Sequence, residues 1–176
     1  MLLDPRAILL FAANALLLYL MLLVNSALAA WSVYLFALGP MVVLPALYLR
    51  HQSYFICTFF SGLWVDAALP TPFGLITSGF LLAGAFIFMI RVRFRAEQNY
   101  HPILIAHVLN LGCICLLSLS AGLSAWGSAA FWTQVVTTAL FSHLVLLLVA
   151  PWFFNFERML FALFHLDAEP EDSPVS

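Results

Sequence analysis

The stretch Gly62-Leu63-Trp64-Val65-Asp66-Ala67-Ala68-Leu69-Pro70-Thr71-Pro72-Phe73-Gly74 closes one apolar run and opens another. The first run begins near Ser53 and the second continues to about Ile90, so two hydrophobic segments meet at a turn that holds two prolines and a glycine. Asp66 is the one acid set inside such a segment. The others fall at the termini, in short polar loops or in the mixed stretch after residue 154. A carboxylate among apolar residues costs a few kcal/mol or more unless it is protonated or partnered. Asp66 therefore has a task, structural or chemical.

The whole chain has the composition of an integral membrane protein. Of its 176 residues, 65% are hydrophobic and 8% charged, against about 25% charged in soluble domains. A water-facing surface cannot be built from this material. The runs are continuously apolar and near the ~20 residues a helix needs to cross a bilayer core, without the alternation of barrel strands. The expected fold is all-α, a polytopic bundle of about six transmembrane segments: 8–24, 33–49, 53–69, 74–90, 102–123 and 130–154. Gly39-Pro40 and Pro45 interrupt the second, because proline removes a backbone donor and kinks a helix. A short helix from Pro40 to Leu49, with 29–38 partly in the membrane interface, is the variant reading of that segment.

Orientation follows from the arginines. Lysine is absent, and Arg6, Arg50, Arg91, Arg93, Arg95 and Arg158 flank alternate ends of the six segments. The three remaining connections (25–32, 70–73 and 124–129) carry no charge. Under the positive-inside rule all six arginines, and both termini, are cytoplasmic. Trp31, Trp126 and Trp132 fall at the opposite, outer ends as interfacial belt residues. Ala27-Leu28-Ala29 has the look of a signal-peptidase site, but the preceding apolar stretch exceeds a typical h-region, so the first segment is expected to stay. Residues 1–154 are the expected bundle. Residues 155–176 are expected to be a cytoplasmic interfacial segment, with Phe153 to Leu166 lying along the membrane, and then an acidic disordered tail.

The polar residues within the segments sort by depth, at 1.5 Å of rise per residue. Thr58, Gly62 and Asp66 recur at i, i+4 and i+8 and share one helix face, which should turn inward where small residues let helices approach. Thr77 and Ser78 on the fourth segment and Gln134 on the sixth lie at the depth of Asp66 and are its candidate partners. The turn is another: Thr71 suits an N-cap and Pro72 the first helical position, and backbone N–H groups of the turn suit a carboxylate. Asn14, His107 and Asn110 are expected to meet in the inner half, and His143 lies nearer the midplane. Cys57, Cys113 and Cys115 have no metal-ligand spacing and read as small apolar fillers. The residues present no nucleophile–base–acid set, no metal cluster and no phosphate loop, so neither an enzyme nor a cofactor is expected.

Gly62, Asp66 and Gly74, with Phe73 before the last, resemble the motif of the rod-shape-determining MreD family: a helix ending in Gly, apolar residues and Asp, then a turn and a Gly that opens the next helix. Pro40 with Arg50-His51, and Phe131-Trp132, are similar to other positions of that family. The turn Ala67–Pro72 departs from it, holding two prolines where the family has a small, Gly-containing turn. The resemblance spans about 30–154. It implies a non-enzymatic scaffold of the bacterial cell-wall elongation machinery in the inner membrane, associating with MreC and, through it, with MreB and the RodA–transpeptidase pair. It also implies a fold similar to the substrate-binding subunits of energy-coupling-factor transporters. That likeness leaves an alternative function, a small-solute-binding component of such a transporter.

Overall fold

The computed structural model describes residues 4–31, 33–94, 100–121 and 123–166, without the side chains of 90–101, 123 and 124. The acidic tail and the side chains of Arg91, Arg93 and Arg95 lie outside the described residues. The described chain is all-helical: α1 (Pro5–Leu28, followed by a 3-10 turn, Ala29–Trp31), α2 (Pro40–Tyr48), α3 (His51–Ala68), α4 (Leu75–Phe94), α5 (Tyr100–Ser120), α6 (Leu123–Trp126) and α7 (Ala129–Leu163). Among the described residues, three helices are long and apolar enough to cross a membrane: α1 through Trp31, α5 from Pro102, and α7. The stretch Leu75–Met89 of α4 is apolar too.

Local chemistry explains the boundaries. Asp4 caps α1, accepting from the Arg6 N–H at 3.0 Å, with Pro5 in the first turn, where its missing donor is harmless. Residues 33–39 are not helical, as expected of a segment that Gly39-Pro40 interrupts. Within this strip Leu35, Ala37 and Leu38 are buried, whereas Tyr34 is 40% exposed and Trp31, just before it, 76%. The nine residues of α2 are apolar on all sides, and those from Pro40 to Leu47 are all buried. A helix apolar all round belongs in the interior, and α2 touches α1, α3, α4, α5 and α7.

α7 does not stop near residue 154. It continues through Pro151 to Leu163 and buries Phe153, Phe154, Glu157 and Phe161. Residues 153–163, expected to lie along the membrane, are helical in continuation of α7, with Phe161 edge-on to Tyr48 of α2. On the outside the bundle is apolar: Met89 is 80% exposed and Trp152 78%. An apolar surface of this extent needs an apolar surround.

Candidate functional site at the Asp66 hairpin

Asp66 occupies the last turn of α3 and is 3% exposed. Its carboxylate reaches across the turn to the start of α4. Oδ1 accepts from the Ile76 N–H at 2.9 Å, and Oδ2 accepts from the Gly74 and Thr77 N–H groups, both at 3.0 Å, and from the Thr77 hydroxyl. The first N–H groups of a helix have no partner within it, and here a residue of the preceding helix supplies one. Three of the four donors converge on Oδ2 and one reaches Oδ1, so the carboxylate is well partnered although buried. The positive end of α4 adds a favourable field.

The hairpin closes around two glycines for different reasons. At Gly62 a Cβ would lie 2.7 Å from the Thr77 Cα. The two helices touch backbone to backbone there, as the shared face of Thr58, Gly62 and Asp66 implies. At Gly74 nothing crowds a Cβ, but φ is +91°, a conformation that glycine alone adopts without strain. It turns the chain so that its own N–H and those of Ile76 and Thr77 converge on Asp66.

Of the expected partners, Thr77 and the turn are in place and the other two are not. The Ser78 hydroxyl donates to the Gly74 carbonyl at 2.7 Å, an exposed bond one turn back along the chain. Gln134 lies away from the hairpin, in a cleft of about 230 Å³ with Tyr34, Phe36, Ser118, Phe131 and Thr138. Matching depth had put Gln134 beside Asp66, but depth does not fix which helices are neighbours, and α3 packs on α1, α2 and α4. Nor does Thr71 cap α4. Its hydroxyl is buried without a partner, and Pro72 precedes the helix, its carbonyl accepting from Leu75 N–H at 3.1 Å. The two prolines lengthen the turn, and Asp66 takes the capping role instead.

A second set of polar groups holds the strip before α2. Asn25 bonds reciprocally with Leu35, donating to its carbonyl at 2.8 Å and accepting from its N–H at 2.7 Å. The Phe36 N–H donates to the Ser142 hydroxyl at 2.9 Å. Asn110 donates to the Phe36 carbonyl and accepts from Leu38 N–H, both at 2.9 Å. Asn14 donates to the Met41 carbonyl at 2.9 Å and to the Ser61 hydroxyl at 3.0 Å. The Met41 carbonyl would bond the N–H of residue 45 in a regular helix. Pro45 has none, so Asn14 takes its place.

Asn14, His107 and Asn110 therefore do not meet. His107 pairs instead with His143, Nδ1 to Nδ1 at 2.9 Å, their rings tilted by 25°. Periodicity gave no sign of this α5–α7 contact. Among the described residues no group of three or more His, Cys, Asp or Glu is arranged to hold a metal. Comparisons with protein-family models, with curated proteins and with solved structures gave no match.

Proposed function

We propose that this chain is a non-enzymatic membrane scaffold of the MreD type, acting in bacterial cell-wall elongation through helix contacts with an MreC-type partner. The observation that carries the reading is the hairpin. Gly62, Asp66 and Gly74 carry the resemblance, and each has a distinct mechanical task there: close approach, capping and chain reversal. An Asp66 held by four hydrogen bonds within its own hairpin suits a rigid scaffold. Co-purification from detergent with an MreC-type protein tests it, together with rounding of rod-shaped cells on depletion. If the partner is not retained and depleted cells keep their shape, the reading is wrong.

In this reading the chain crosses the inner membrane six times, with both termini cytoplasmic. Length supports the least regular crossing. Residues 33–39 in extended form reach about 23 Å, and the nine residues of α2 add about 13 Å, together enough for a core of about 30 Å. Extended backbone at that depth is tolerated when it is buried in protein, and here Asn25, Asn110 and Ser142 satisfy it. Single cysteines placed beside Arg50 and at Phe73 should react with an impermeant maleimide from opposite sides of sealed vesicles.

One observation favours the solute-binding alternative: the cleft of about 230 Å³ that Tyr34, Gln134 and Thr138 line beside aromatic rings. It predicts a small molecule retained through purification and detected by native mass spectrometry, and an ATPase-coupled partner in place of an MreC-type one.

A further inference from the structure

Among the described residues two acids are buried, and they are opposites. Asp66 receives four hydrogen bonds. Glu157, in the last turns of α7, is 0% exposed, and neither of its carboxyl oxygens has a hydrogen-bond partner. Phe153, Phe154 and Phe161 are buried on the same stretch of α7. Elsewhere in the core, Ser61 of α3 accepts from Asn14 at 3.0 Å, but no described residue hydrogen-bonds to the Glu157 carboxyl.

We propose that Glu157 is a proton-binding site, its carboxyl neutral in the folded chain, and that its proton holds the end of α7 against the bundle. The physical choice is stark. A carboxylate with no counter-ion and no donor loses its hydration for nothing, a net penalty even after relaxation. The neutral acid avoids most of that penalty.

Among the described residues, none of the titratable groups nearby hydrogen-bonds to its carboxyl oxygens. At this end of the bundle, α1 offers Asp4 and Arg6, which pair with each other at 3.6 Å. α2 offers Tyr48, whose hydroxyl accepts from Arg158 Nη2 at 3.4 Å. α3 offers Cys57 and, at its start, Arg50 and His51, and the His51 ring packs on Tyr54 and Phe88. On α5, His107 is engaged with His143. If Glu157 lost its proton it would have to reach water, drawing the face that carries Phe153 and Phe161 off α2.

The test keeps Glu157 intact. Glu97, Glu169 and Glu171 are replaced by glutamine in the full chain, which leaves Glu157 as the sole glutamate. The protein is grown with carboxyl-¹³C glutamate and its infrared spectrum is taken in lipid nanodiscs at neutral pH. The expected result is an isotope-shifted carbonyl stretch of a protonated acid, converting to carboxylate bands only at a pH where protease begins to cut within 153–163. A labelled spectrum that shows only carboxylate bands at neutral pH overturns the proposal. So does conversion to carboxylate with no change in protease access.

Discussion

Asp66 binds Thr77 twice, its Oδ2 accepting from both the backbone N–H and the hydroxyl of that residue. The N–H groups of Gly74 and Ile76 also donate to the carboxylate. The bond set ties the end of one helix to the start of the next, the nearest donor, Gly74, lying eight positions after Asp66.

Substitutions at Asp66 should separate by acceptor count. Asn can keep its oxygen at the Oδ2 position and lose only the Ile76 bond, at a cost of about 1–3 kcal/mol. Leu strands four buried donors, each at about 1–3 kcal/mol, which approaches the whole stability of a typical domain. Thermal unfolding in detergent should show D66N destabilised but folded and D66L not recovered as folded protein. Equal loss for both would mean that the charge, rather than the bonding, matters.

The two glycines should fail differently. G62A forces a methyl group to 2.7 Å from the Thr77 backbone and should cost about 1–3 kcal/mol through overpacking. G74A meets open space and should cost about 1–2 kcal/mol through its left-handed φ alone. Asn tolerates positive φ, so G74N should recover part of the loss in the same melts, whereas G62N should be worse than G62A.

Asn110 holds both a carbonyl and an N–H of the strip before α2. N110A leaves both groups buried and unmatched, a loss of about 2–6 kcal/mol. N110D sets a carboxylate oxygen against the Phe36 carbonyl, so its loss should be no smaller. Hydrogen exchange followed by mass spectrometry should show faster exchange at 35–39 in N110A, with α3 and α4 little changed.

The three cysteines should react in order of exposure. Cys115 is exposed, whereas Cys57 and Cys113 are buried. In detergent, N-ethylmaleimide should add one label rapidly, at Cys115, and the second and third only on unfolding in dodecyl sulfate. Intact mass counts the labels, and peptide mapping places them. Early labelling of Cys57 would contradict the packing of α3.

Helix positions were legible because composition and proline placement are local properties. α1, α3, α4 and α5 fall on their apolar runs, and the inward face of Thr58, Gly62 and Asp66 follows from a spacing of four. The role of Asp66 was also readable, because its partners lie within eleven residues. What was not readable depends on which helices touch. Gln134 matched Asp66 in depth but sits between other helices. The His107–His143 pair joins residues 36 positions apart, and no periodicity encodes such a contact. The burial of Glu157 was missed because a charged residue among aromatic ones near the chain end reads as interfacial, and only the packing of α7 on α2 shows otherwise.

The strip before α2 has a consequence for the order in which the protein can form. Its backbone is satisfied by Asn25, which precedes it, but also by Asn110 and Ser142, which are made more than seventy residues later. Until residue 142 has left the ribosome, Phe36 N–H has no native partner, and the short central helix that follows has no completed walls. The centre of this bundle is therefore its last part to settle. α1, α3 and α4 can assemble as a frame during synthesis, and the middle closes only when α5 and α7 arrive.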